Sequence, residues 1–178
     1  KAILKYEKKY SSNQTIVPSL KMINKAILLL DPKVKKAIDI PLTIKIRMGW
    51  DAEDINAEKI EQIARNEGVE WVAIHGRTRA QQYTGSADWE YIEWLCENTK
   101  LPIIGNGDIF SFTDYEEKLA KCPSVLPCAM LARGALIKPW LPAEIKERRH
   151  WDISATERLD MLKEFVKFGL EHWGSDNM

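Results

Sequence analysis

Four residues able to do chemistry recur at near-constant intervals. Lys45, His75, Asn106 and Arg133 are separated by 30, 31 and 27 residues. Each stands at or near the end of a short apolar run: PLTIKIRMG, VEWVAIHG, LPIIGNGDI and VLPCAMLARGAL. A repeat of this length fits one strand and its crossover helix. In a (β/α)8 barrel the C-terminal strand ends share one rim, where the loops build the active site. The fold would then gather an ammonium, an imidazole, an amide and a guanidinium.

Each strand end offers a different chemistry. Lys45 and Arg47 alternate with Ile44 and Ile46, so their side chains point the same way. A cation aimed into a barrel is costly unless an anion or an acceptor-rich ligand meets it. Pairing of both with acids elsewhere in the barrel is the competing reading. His75-Gly76-Arg77-Thr78 follows the second run. A histidine there can donate to a carbonyl or carry a proton near neutral pH, although a lone histidine is more often a satisfied core residue. Gly105-Asn106-Gly107-Asp108 reads either as backbone made to approach an anion closely or as an ordinary Asn-Gly turn. Ala132-Arg133-Gly134 closes the last run and precedes a helix, the usual phosphate cradle of a βα barrel. Together these ends suit a ligand with a phosphate at one end and a planar, acceptor-rich system facing Lys45 and His75. Flavin mononucleotide (FMN) meets that description. A sugar phosphate, with Lys45 as a Schiff-base lysine, meets it less well, because Asp108 is the only carboxylate among the leading rim residues.

The elements that must position these residues are regular from residue 41 onward. The spacing predicts helices over 51–68, with Ile55, Ile60, Ile63 and Ala64 at helical intervals, and over 87–99, 112–121, 139–150 and 154–173. Gly68 suits a helix stop. Thr113 with Glu116, and Ser154 with Glu157, read as capping boxes. Leu159, Leu162, Val166 and Gly169 form one stripe of the last helix. Four strand–helix repeats predict an α/β fold with a parallel sheet and right-handed crossovers. An open doubly wound sheet stays possible on pattern alone, though no GxGxxG follows the first strand. Further upstream, residues 19–30 read as a helix, 33–38 as a second short one, and 1–16 as a solvated, Lys-rich arm.

Composition narrows the class. The chain has 178 residues, 45% of them apolar, which is short for a complete barrel of about 250 residues. Lys+Arg and Asp+Glu both number 26. Residues 1–36 hold nine Lys and two acids, and the remainder 17 bases and 24 acids, so a balance of +7 faces one of −7. Whole-chain charge therefore does not point to nucleic acid. No run reaches membrane-spanning length. Cys96, Cys122 and Cys128 form no CxxC pair, which suits a reduced intracellular compartment. With only three histidines, no metal site is expected.

Four motifs carry a family resemblance: KIRMGW at 45–50, HGRTRAQQYTGSADW at 75–89, GNGDI at 105–109 and LARGALIKPWL at 131–141. In order and at barrel spacing, they resemble the tRNA-dihydrouridine synthases. EIKERRHWDISATERLDML at 144–162 and FGLEHWGSD at 168–176 resemble the eukaryotic dihydrouridine synthase 3 branch of that family. The resemblance implies a TIM barrel of which about four C-terminal βα units are present, residues 41–150, followed by the start of a tRNA-binding helical domain, 151–178. Residues 1–40 stay unassigned. It implies FMN as cofactor, NADPH as reductant and reduction of the uracil C5–C6 bond in tRNA. Lys45, His75, Asn106, Gly107, Asp108, Ala132 and Arg133 are the residues it implies for the flavin. Arg47 and Arg77 are its candidates for the substrate. The implied compartment is the cytoplasm, with the nucleus as an addition.

The family's proton-donating cysteine is expected on the barrel half that these motifs do not cover, so no catalytic cysteine is assigned among the three present. That leaves two readings. One is an FMN-dependent synthase of which this is the C-terminal half of the barrel, the chain alone being inactive and the N-terminal barrel half a candidate partner. The other is a non-catalytic RNA-binding module lacking the catalytic cysteine, either truncated or a half barrel completed by another chain.

Overall fold

The computed structural model describes residues 39–174. The helices expected over 19–30 and 33–38, and the arm 1–16, lie outside the described residues.

Apolar, β-branched segments build four strands: β1 (Thr43–Arg47), β2 (Trp71–His75), β3 (Ile103–Asn106) and β4 (Ala129–Met130). All neighbours are parallel, in the order β1-β2-β3-β4. The helices between them are α1 (Ala57–Asn66), α2 (Trp89–Asn98) and α3 (Phe112–Lys121), and α4 (Arg133–Ile137) follows β4 directly. Four consecutive βα units of a TIM-barrel type result. Two more helices follow, α5 (Leu141–Glu147) and α6 (Ala155–Trp173). No helix among the described residues is long and apolar enough to cross a membrane.

Register divides the sheet into two faces. Ile46, Ile74, Gly105 and Ala129 form one cross-strand row, and Arg47, His75, Asn106 and Met130 the next. Successive residues of a strand point to opposite faces, so the first row looks toward the helices and the second toward the concave side. The helix-facing side joins Ile74, Tyr91, Ile92, Leu95 and Ile103 in the core. Gly105 belongs there for packing reasons, since a Cβ would strike the Trp89 ring.

Several boundaries differ from the sequence expectation. Helix α1 begins at Ala57, not near residue 51. Asp51 Oδ1 accepts the amides of Glu53 and Asp54 at 2.9 and 3.0 Å, and Gly49 bridges antiparallel to Ile55. This side-chain turn competes with helix and buries Ile55 by another route. The capping box of α3 is Ser111 with Asp114; Thr113 instead sits inside the helix, with Oγ1 3.0 Å from His150 Nε2. Strand β4 is only two residues long, because Arg133 already opens α4. The Ser154–Glu157 box of α6 forms as expected. Of its stripe, Gly169 is buried while Leu159, Leu162 and Val166 are exposed.

Candidate cofactor and substrate site

The concave rim is built by one row and one turn. Arg47, His75 and Asn106 are direct cross-strand neighbours at the C-terminal ends of β1, β2 and β3. Lys45 pairs with Ala73 instead. It therefore lies one layer deeper, about 6.6 Å along the strand, and Arg47 holds the rim position that spacing alone gave to Lys45. Asn106 is buried, and its Nδ2 donates to Met130 O at 2.6 Å, tying β3 to β4.

Crowded positive charge sets the electrostatics. Lys45 is exposed as a residue, yet desolvation of its ammonium, and then repulsion from Arg47, lower its pKa to about 8. Burial, then the cations Arg47, Lys45 and Arg77, push His75 down to about 4 against an opposing pull from Asp108. His75 is thus neutral at pH 7. Its Nδ1 is buried without a hydrogen-bond partner among the described residues, leaving unsatisfied polar capacity at the centre of the rim.

Asp108 is the hub of the adjoining turn. It adopts a left-handed conformation, φ 53°, and accepts two hydrogen bonds from Arg77, at 2.8 and 2.7 Å. The Ala87 amide adds a third at 2.8 Å, and Arg133 Nη2 approaches at 3.3 Å. Burial alone would raise this carboxyl. The Arg77 and Ala87 hydrogen bonds and the charges of Arg77 and Arg133 outweigh it and hold the carboxyl below its usual value.

Two sequence candidates for substrate contact bond to carbonyls of this chain's own loop. Arg77 is 3% exposed and donates to Gly85 O at 3.2 and 2.6 Å as well as to Asp108. Its guanidinium is enclosed among the described residues. Arg47 Nη1 donates to Thr78 O at 2.9 Å and to Gln82 O at 3.4 Å. The two arginines hold the loop between β2 and α2 on the rim. The glycines are explained similarly. Gly107, with φ 135°, abuts Ala87, and a Cβ on Gly134 would strike Ile109 O. The close backbone approaches they permit are to other parts of this chain.

Beside Asp108 lies a recess of about 30 Å³, lined by His75, Asn106, Asp108, Phe110, Ala132 and Arg133 among others. A water needs roughly 10–15 Å³ on this measure, so the recess suits a small group and not a ring system. Among the described residues, no acceptor takes the amide N–H of Gly107, Arg133 or Gly134. Arg133 keeps 43% of its side chain exposed. Its guanidinium carbon lies 4.8 Å from the Tyr83 ring centre and 5.3 Å from that of Phe110. Sequence reading missed both aromatics: neither lies at a strand end, and Tyr83 sits in a polar loop without periodicity.

The three cysteines lie away from this rim. Cys96 is on α2, buried Cys122 caps α3 with Sγ 3.3 Å from Trp89 O, and Cys128 precedes β4. Burial, then the Glu93 charge, push the Cys96 and Cys122 thiols up to about 12 and about 11.

Residues 24–175 match the family model described as dihydrouridine synthase (Dus). Among curated proteins the chain is similar to a "tRNA-dihydrouridine(47) synthase NAD(P)(+)-like" protein of Xenopus tropicalis, 51% identical over 144 residues, covering 80% of this chain and 22% of that protein. Proteins of the same name match from Arabidopsis thaliana, 48% identical over 141 residues (78% and 20% covered), and from Homo sapiens, 48% over 144 residues (80% and 22%). The chain spans about a fifth of the length of these relatives.

Proposed function

The chain belongs to the dihydrouridine synthase family, and from that premise we propose that its rim is the phosphate-holding half of an FMN site in a tRNA-dihydrouridine synthase. The observation that carries the reading is the joining of the Arg47–His75–Asn106 row to the Arg133 recess. Residues present fit the group. The recess has unbonded amides and a partly free guanidinium for a phosphate, where charge-assisted hydrogen bonds are strong. The His75 side chain on the rim row and the Lys45 ammonium one layer below it are this chain's groups for an acceptor-rich ring edge.

When bound, FMN supplies the redox chemistry that links a nicotinamide reductant, NADPH, to the uracil C5–C6 bond. The chain's own residues bind, orient and shape the field around it. Arg133 and the amides of Gly107 and Gly134 hold the phosphate. Asn106 keeps β3 and β4 in register beneath it. Asp108 aims Arg133. Lys45 places positive charge below the rim, and neutral His75 offers a hydrogen bond without adding charge at pH 7. A target base has to leave its stack to meet such a site. The names of the relatives carry position 47, and we take that uridine as the target of the whole enzyme.

A second reading, RNA binding without turnover by this chain alone, is favoured by the cysteine positions: none of the three is on the rim to deliver a proton. Titration of the chain with FMN and with riboflavin tests the first reading. FMN binding about 10-fold tighter supports a phosphate site, since one such contact is worth roughly 1.5–3 kcal/mol. Equal binding of the two removes it.

A further inference from the structure

The loop between β2 and α2 carries an exposed aromatic that the core does not need. Tyr83 is 67% exposed, yet its ring lies against the Arg133 guanidinium. Phe110, from the turn after β3, approaches the same guanidinium, and Asp108 accepts its Nη2. Two separate segments, the loop after β2 and the turn after β3, therefore converge on one cation. The loop bearing Tyr83 is itself fastened at both ends. Arg47 holds Thr78 O and Gln82 O, and Arg77 holds Gly85 O. A free arginine loses much rotamer freedom when it binds an anion. An arginine already held by two rings and a carboxylate has lost that freedom beforehand, and cation–π contact keeps the guanidinium plane fixed while its outer edge stays open.

We propose that Tyr83, assisted by Phe110, is a positioning residue that clamps Arg133 beside the recess and so sets how strongly the site prefers a phosphorylated ligand over its dephosphorylated form. This rests on the reading of the recess as a phosphate site. The ring is the working part. The hydroxyl of Tyr83 takes no part in the contact, so phenylalanine serves in its place. Arg47 and Arg77, in turn, act on ligand binding through the loop.

A double-mutant cycle tests the clamp. The 178-residue chain is titrated with FMN and with riboflavin, and flavin fluorescence is followed. We expect Tyr83→Ala to reduce the FMN-over-riboflavin preference about 3-fold or more, with riboflavin affinity unchanged. Tyr83→Phe keeps the wild-type preference. In an Arg133→Ala background, Tyr83→Ala has no further effect. Full preference retained by Tyr83→Ala, or an equal loss with and without Arg133, overturns the clamp and leaves the phosphate site standing. Equal affinity of the wild-type chain for both flavins removes the phosphate site itself, and the clamp with it.

Discussion

Arg77 and Asp108 form a two-pronged ion pair, 2.8 and 2.7 Å, across 31 residues of sequence. It joins the loop after β2 to the turn after β3, and through Asp108 it reaches Arg133. Removing one partner leaves a largely buried charge without its main counter-ion. We expect Arg77→Met to cost about 3 kcal/mol of stability, read as a lower midpoint in urea. Asp108→Asn is expected to destabilise as well and to free Arg133. The Asp108 carboxyl is held below its usual value, so its contribution is present above the ordinary carboxylate range and is lost as pH falls through the folded value. A variant with an unchanged midpoint would show that the pair is dispensable.

His75 gives a stability signal on the acid side. Its folded pKa is about 4, against an ordinary value of 6.5. Between those values the unfolded state binds more protons, so the contribution is complete above pH 6.5 and disappears as pH falls toward 4. We expect His75→Gln to flatten the fall in stability over that window by roughly 2 kcal/mol after solvent screening. Parallel stability curves for variant and wild type would place His75 in water.

Lys45 gives a binding signal on the alkaline side. Its pKa is lowered to about 8, so the ammonium is present at pH 7 and largely gone by pH 9. FMN affinity is expected to weaken about 5-fold across that interval, and Lys45→Gln to bind weakly at both ends without the slope. The same lowered pKa means that the unfolded chain binds more protons between about 8 and 10.5. Folding stability therefore rises with pH through that window, opposite in sign to the binding effect.

Turnover is expected to be absent. With FMN, NADPH and unmodified tRNA, the purified chain should form no dihydrouridine above a no-protein blank. The three cysteines lie on α2, at the end of α3 and before β4, none beside Arg47, His75 and Asn106. Product that disappears on mutation of Cys96, Cys122 or Cys128 would place the proton donor within this chain.

Much of the scaffold was legible because it follows from period. The repeat of Lys45, His75, Asn106 and Arg133 located the four strand ends, since strand and helix lengths are set by apolar runs and caps. Register was not legible. A shift of two residues keeps a side chain on the same face, so nothing in the pattern distinguished Lys45 from Arg47 as the neighbour of His75. The inward turn of Arg77 was hidden for a related reason: its partner Asp108 comes from another βα unit. Helix starts failed where side-chain turns intervened, as at Asp51. Tyr83 was invisible because its role depends on a loop path fixed by Arg47 and Arg77, which no local spacing encodes.

Amide chemical-shift mapping by two-dimensional NMR tests the site assignment most directly. The 178-residue chain, labelled with nitrogen-15, is titrated with FMN and separately with riboflavin. We expect FMN to move the amides of residues 106–108 and 132–134 most, with smaller shifts at Lys45 and His75. Riboflavin should move the latter pair while leaving 132–134 in place. Shifts confined to other regions, such as the hollow between Trp50 and Ile60, or identical patterns for the two flavins, would contradict the assignment of the Arg133 recess to the phosphate.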